Sequence, residues 1–348
     1  ILPKISVPYS AVISRIMKVP RKRKPIPKAA AEKSDSSSNP EWPTSSYLQI
    51  MKDFASFVSG IRQSYSLTDL KSARSMYKPR DPFSNKGNFG HVLLLAGSFG
   101  KIGAAVMAAK ACLSAGAGLL TTHLPSCGYG IMQTALPEAM VTVDPDPDQL
   151  STVPEDLSPY RVIATGPGIG TGRPTQEMIK RLLKNFPHPL VLDADALNII
   201  SRDKKLLRKI PPHSILTPHP KEFDRLFGPA ETGLHRFELA RKNAAEFQLI
   251  LVLKGHYTGI FCPDGSLFFN TSGNAGMAKG GSGDVLTGMV AAMLAQSYSP
   301  PEAARLAVFL HGLAGDIAAE LFSAEAMLPT DLIGCIGKAF VRLKEIPE

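Results

Sequence analysis

One tryptophan and four cysteines are what this 348-residue chain has least of. Cys112, Cys127, Cys262 and Cys335 are scattered, with no C-x-x-C spacing. That excludes a zinc site of clustered thiolates, and a chain this long needs no disulfide framework. Free thiols in a reducing compartment are the reading that remains, which gives a cytoplasmic expectation. No apolar run approaches the roughly 18–20 residues of a transmembrane helix, so no membrane partner is expected. Acidic residues are absent from positions 1–31, which hold Lys4, Arg15, Lys18, Arg21, Lys22, Arg23, Lys24 and Lys28. Taking these eight charges from the total of +9 leaves +1 for residues 32–348. A near-neutral body excludes a broad phosphate-binding face, and with it a nucleic-acid partner. The two commonest nucleotide loops are missing as well: there is no G-x-x-x-x-G-K-[ST] and no G-x-G-x-x-G.

What is present divides in two. Residues 1–46 combine Arg21-Lys22-Arg23-Lys24-Pro25, an Ala29–Ala31 run and a Ser-rich stretch from Ser34 to Pro40. Such a segment buries too little apolar surface to fold alone and reads as a tail or linker, with a targeting signal as the alternative. The first residue is Ile1 and not Met, as expected if the true start lies upstream. Residues 47–80 read as a helical lead-in, because Leu48, Met51, Phe54, Ala55 and Val58 recur at helical spacing. The division expected is an extension at 1–67 and one domain at 68–348.

In the body, short apolar runs alternate with helical patterns. His91–Ala96, Leu119–Leu124, Arg161–Thr165, Leu190–Asp193 and Ile250–Leu253 are strand candidates, and Phe261–Phe269 around Pro263-Asp264-Gly265 reads as a hairpin. Gly103–Ala115, Pro174–Asn185, Glu222–Phe227, His235–Phe247, Asp284–Gln296, Pro301–Phe322 and Asp331–Leu343 read as helices. The alternation predicts an α/β fold: a mostly parallel central sheet covered by helices on both faces.

The chemistry concentrates where glycines meet polar residues beyond strand ends, the place where open α/β sheets bind ligands. In Gly280-Gly281-Ser282-Gly283-Asp284 the glycines leave backbone N–H groups open to an anion, and the following helix adds its positive end. Asp284 there either accepts a proton from a substrate hydroxyl or serves as an ordinary first-turn carboxylate. Lys254-Gly255-His256-Tyr257-Thr258 suits a nucleotide phosphate or ribose contact, or is a plain turn. Gly97–Gly103 and Gly166-Pro167-Gly168-Ile169-Gly170 are strand-to-helix loops of low specificity. Asp193 and Asp195 orient substrate or the water of a Mg²⁺ ion, unless Asp195 merely caps a helix. His219 sits between two prolines, and Glu222 caps the next helix or holds a metal through water.

Taken in order, these segments resemble the NAD(P)H-hydrate dehydratase family of the ribokinase superfamily, in its bacterial, ADP-using branch. The likeness runs over roughly residues 68–345, through LLLAGSFGKIGAAV, ATGPGIG, VLDADALN, LTPHPKEF, LVLKGHYT and GNAGMAKGGSGDVLTGM. The resemblance implies a ribokinase-like fold and ADP-driven removal of water from the hydrated nicotinamide ring of NADH or NADPH. It implies that Lys254, Gly255, His256, Tyr257, Thr258 and Gly283 bind the nucleotide. Ala104 or Ala105, Gly168, His219 and Asp284 would bind the hydrate, with Asp284 as base. Mg²⁺, a homo-oligomer such as a tetramer, and coupling to a hydrate epimerase are implied in the same way. The chain departs from the family at Asn85-Lys86-Gly87 and Asn274-Ala275-Gly276, both peripheral. Residues 1–67 are too short for the epimerase domain that many relatives carry. A sugar or vitamin-precursor kinase, and a nucleotide-binding scaffold without activity, are the competing readings.

Overall fold

The computed structural model describes residues 64–345. The basic tail and the first half of the lead-in at 47–80 lie outside them. Ten strands form one sheet in the order β1-β10-β9-β8-β7-β6-β5-β2-β3-β4. They are β1 (Ser66–Thr68), β2 (His91–Leu95), β3 (Leu119–Pro125), β4 (Met140–Asp144), β5 (Val162–Thr165), β6 (Leu190–Leu192), β7 (Ile215–Leu216), β8 (Ile250–Leu253), β9 (Gly259–Phe261) and β10 (Leu267–Asn270). Neighbours run parallel from β4 through β8, while β8, β9 and β10 form an antiparallel meander. The central strands are apolar without alternation because both faces are covered; Val92, Leu93, Leu94 and Leu95 are all buried.

The helices in chain order are α1 (Leu70–Met76), α2 (Ile102–Ser114), α3 (Tyr129–Ala135), α4 (Arg173–Asn185), α5 (Ala194–Arg202), α6 (Pro220–Phe227), α7 (Gly233–Phe247), α8 (Ser282–Ala295), α9 (Pro300–Phe322) and α10 (Pro329–Glu345). The Ala-rich α2 packs against α8, whose residues from Val285 to Ala295 are all buried. This is the α/β sheet expected, with its helices close to the expected ranges.

The differences sit in short elements. β1 falls inside the expected helical lead-in and pairs in parallel with β10, Ser66 opposite Phe268. Three residues carry no periodicity, so only the sheet edge makes them a strand. β4 and β7 escaped the sequence reading for related reasons: β7 has two residues, and β4 is an edge strand of mixed exposure. Helix α5 follows directly on Asp193 through Ala194, whose φ is 46°, a left-handed turn that no side-chain pattern announces.

A groove of about 1420 Å³ opens among α1, α10 and the C-terminal ends of α2 and α8. Three of its cations are engaged by carbonyls at helix ends: Arg74 on Lys344, Lys78 on Ser297 and Arg80 on Gly116. They satisfy the open carbonyls and negative dipoles of converging helix ends. The N-terminal ends of α2 and α8 point the other way.

Candidate active site

The sheet order reverses between β2 and β5: β3 and β4 extend from one side, β6, β7 and β8 from the other. A crevice opens at such a switch point, beyond the carboxyl ends of the strands. The loops after β2 and β5 line it and are tied together. Gly97 N–H donates to Pro167 O at 2.8 Å, and Ser98 Oγ to Gly168 O at 2.7 Å.

The Gly-rich turn reaches the crevice at the start of α8. Gly281 is the N-cap, with φ 104°. A β-carbon there would press on the flexible end of Met107, 2.6 Å from its Cε, which can yield; it is the left-handed backbone conformation that demands glycine. Lys279 fixes the approach by donating to Glu325 O (2.5 Å) and Met327 O (2.6 Å). From α9, His311 Nε2 donates to Ser282 O at 3.0 Å. Burial lowers the His311 pKa to about 4, so the ring is a neutral, fixed donor near pH 7. Asp316, one turn and a half further along α9, accepts from Gly273 N and Asn274 Nδ2 at 2.9 Å each. Gly280 and Gly283 remain open toward the cleft, whereas Ser282 is buried with its hydroxyl toward His311. The anion loop expected at 280–283 is therefore one of backbone, and the Ser282 side chain is not offered to a ligand.

Behind the turn lies a charged knot. Asp193, buried at the end of β6, accepts from Lys254 Nζ and from Thr287 Oγ1, both at 2.8 Å. Thr287 sits one turn beyond Gly283, whose carbonyl accepts from the same hydroxyl at 3.2 Å. Lys254 Nζ is also 3.9 Å from Glu222 Oε2. Burial works to lower the Lys254 pKa, but the charges of Asp193 and Glu222 outweigh it and hold the ammonium above the ordinary lysine range. A β-carbon on Gly283 would come within 3.3 Å of Lys254 Nζ, so backbone and cation share the floor of the cleft.

Asp284 follows in the first turn of α8. A helix N-terminus normally favours the carboxylate. Here burial first, and the Asp193 charge second, raise the pKa to about 6 against the pull of Lys254. The group can thus hold or release a proton near neutral pH, the property a general base requires. The base form exists above that pKa. The kcat/KM profile is therefore expected to fall below about pH 6; a limb near the ordinary Asp value of about 4 would contradict this environment.

The other expected residues are placed as follows. Ala104 is half-buried beside Gly168, while Ala105 is buried in the core, so of the two only Ala104 adjoins the crevice. His219 is the N-cap of α6, its Nδ1 accepting from Lys221 N (3.1 Å) and Glu222 N (3.3 Å). Glu222 returns the bond by accepting from His219 N at 2.9 Å. Glu222 therefore sits in the cap of α6, one of its two expected tasks. Asp195 does not cap α5; it accepts from Gly170 N at 2.9 Å. Its left-handed neighbour Ala194 turns Asp193 inward and Asp195 toward the β5 loop. Beyond Lys254, Gly255 and His256 lie at the surface, with Thr258 Oγ1 donating to Gly255 O at 3.1 Å. Among the described residues no group of three or more His, Cys, Asp or Glu is arranged to hold a metal ion. Thr287, His311 and Asp316 went unnoticed in the sequence: a Thr one turn after a candidate base is a faint signal, and His311 sits in an apolar helix like an ordinary core histidine.

The sequence profile of the family described as NAD(P)H-hydrate dehydratase matches residues 92–338, a span that contains both crevice loops, the charged knot and Asp284. The chain belongs to the NAD(P)H-hydrate dehydratase family. Its fold is ribokinase-like. Among its relatives, the ADP-dependent (S)-NAD(P)H-hydrate dehydratase of Bacillus subtilis is 35% identical over 273 residues, covering 78% of this chain and 96% of that protein. A crystal structure of the B. subtilis ADP/ATP-dependent dehydratase, co-crystallised with ATP/Mg²⁺, superposes with a TM-score of 0.73 at 33% identity, over 81% of this chain and 100% of that one. The bifunctional NAD(P)H-hydrate repair enzyme Nnr of Moorella thermoacetica is 40% identical over 281 residues, or 78% of this chain. The match spans 53% of that relative, so the chain corresponds to about half the length of the bifunctional enzymes. No helix of the described residues is long and apolar enough to cross a membrane.

Proposed function

We propose that this chain restores NADH and NADPH from their (S)-hydrates, using ADP as phosphoryl donor, as a metabolite-repair lyase. The carrying observation is Asp284: a carboxylate with raised proton affinity, in the first turn of α8, beside an open backbone cradle and a buried ammonium. Hydroxide leaves poorly from a carbon centre and phosphate leaves well. Asp284 takes the proton of the ring hydroxyl as its oxygen attacks the terminal phosphorus of ADP, and AMP departs. Loss of phosphate with the neighbouring ring proton then restores the ring double bond. The Gly280, Gly281 and Gly283 backbone faces the phosphoryl group in transit, where preorganised N–H donors stabilise developing charge. Lys254, held by Asp193, offsets that charge from below. Gly255–Thr258 contact the nucleotide, while Ala104, Gly168 and His219 line the hydrate side.

Asp193 and Glu222 already have partners, so the protein offers no ready cage for Mg²⁺. That fits a cation arriving on the nucleotide phosphates with most of its waters, which Asp284 and Asp195 would hold through those waters. When bound it neutralises phosphate charge. The free state of Cys112, Cys127, Cys262 and Cys335 supports a reducing, cytoplasmic setting. A hydrate epimerase is the functional partner, since it converts the opposite epimer into this substrate. Assembly as a homo-oligomer, such as a tetramer, belongs to the same proposal.

The test mixes the protein with hydrated NADH, Mg²⁺ and either ADP, ATP or no nucleotide, and follows the absorbance of the reduced nicotinamide. Recovery with ADP and none without nucleotide is expected. A phosphorylated product that persists would identify a kinase instead, and no turnover with either nucleotide would refute the reading.

A further inference from the structure

Lys101 stands on the wall of the switch-point crevice, immediately before α2. Its ammonium is 3.6 Å from Asp195 Oδ2, beyond hydrogen-bonding distance, and its side chain is 55% exposed. A pair so loose and so wet contributes little to stability. The backbone beneath is fixed. Lys101 N–H donates to Ser98 O at 2.8 Å, and Phe99 N–H to Asp148 O at 2.7 Å. Gly168 is packed so closely on this wall that a β-carbon there would meet Lys101 O at 2.9 Å and Ala104 Cβ at 3.1 Å. A long, exposed cation is thus mounted on a fixed backbone, over the crevice that an open α/β sheet uses for ligands.

Its neighbours complete the picture. Asp195 Oδ2 has a second, better partner in Gly170 N at 2.9 Å, so it does not need the lysine. The other nearby cations are differently engaged. Lys254 is locked on Asp193, Lys279 on the carbonyls of Glu325 and Met327, and Arg202 on Thr171 O and Oγ1. A hydrated dinucleotide carries a pyrophosphate with two negative charges between its reacting ring and its adenosine.

We infer that Lys101 is a specificity-determining residue that leaves Asp195 to pair with the pyrophosphate of the hydrated dinucleotide. The inference rests on the proposed reaction and extends it, because it separates a dinucleotide from smaller molecules with the same nicotinamide ring. The exchange also leaves Asp195 unpaired by lysine while it keeps Gly170 in place.

The experiment first establishes that the wild type turns over NADH hydrate with ADP; failure at that stage counts against the proposed function and not against Lys101. The variants Lys101→Met and Asp195→Asn are then assayed with two substrates: hydrated NADH, and hydrated reduced nicotinamide riboside, which lacks phosphate. Lys101 is largely exposed, so Lys101→Met is expected to keep the wild-type melting temperature. It is expected to raise KM for hydrated NADH by about tenfold or more, the cost of one charge-assisted contact, with KM for ADP unchanged. The same substitution leaves KM for the riboside hydrate within about twofold. Asp195→Asn, which keeps an acceptor for Gly170 N, lowers KM for hydrated NADH by releasing the lysine. Equal penalties on both substrates would overturn the inference. So would a rise in KM from both variants, which would mark the pair as a structural tie between the loops.

Discussion

Asp284→Asn is expected to lower kcat by about 10²–10⁴, the range for loss of a positioned general base, while hydrate and nucleotide still bind. Asparagine keeps the size and the first-turn position of the side chain but cannot take the hydroxyl proton. The effect should fall on kcat and not on KM, because base catalysis is felt in the transition state. Stability should move in the opposite direction. The folded-state pKa of about 6 lies well above the ordinary aspartate range, so the native state favours the protonated form. Its contribution to stability is present below the unfolded pKa, falls away as pH rises between the two values, and stays lost above about 6. At pH 7 the charge is a cost, and Asp284→Asn removes it. The variant is therefore expected to melt at a higher temperature than the wild type at pH 8 and to lose that advantage toward pH 4. A variant with wild-type kcat would remove Asp284 from the mechanism, and one that melts lower at pH 8 would contradict the burial argument.

Asp193→Ala is the second large effect, and it acts on the fold. Asp193 holds Lys254 Nζ and Thr287 Oγ1 at 2.8 Å each, and its removal leaves a buried ammonium without its closest counter-charge. Breaking a buried pair by deleting one partner costs about 3–5 kcal/mol, far more than either exposed pair at Lys180–Glu177 or Arg208–Glu246 is worth. Glu222, at 3.9 Å from the ammonium, compensates only in part. Activity should fall as well, since Thr287 ties the first turn of α8, and with it Asp284, to the end of β6. The double variant Asp193→Ala/Lys254→Met should recover much of the stability, since no orphan charge remains, and none of the activity. Thermal melts of the two variants decide this: equal losses would show that Lys254 draws little from Asp193.

The parts of this site written in the sequence are those carried by glycine spacing and strand-end position. Gly281 must be glycine in any chain that turns there, so Gly280–Asp284 was visible as a loop before a helix. Strands such as His91–Leu95 announced themselves by uninterrupted apolar runs, because burial on both faces leaves no other composition. What could not be read was side-chain direction. Asp193 and Asp195 are two residues apart, and no local pattern tells that the left-handed Ala194 sends one to Lys254 and the other to Gly170. Lys254 read as a nucleotide contact because it ends a strand; its buried partners come from β6 and α6, 61 and 32 positions away in the chain. The supports at His311 and Asp316 come from a helix that reads as plain core. Long-range pairing made the site, and local pattern only marked its edges.

The phosphorus balance of the reaction tests the central claim most directly. With hydrated NADH, ADP and Mg²⁺, ³¹P NMR should show one AMP and one inorganic phosphate formed for each NADH restored. Asp284→Asn should form all three at least about a hundredfold more slowly. NADH restored without loss of ADP, or a nicotinamide phosphoester accumulating in place of free phosphate, would contradict it.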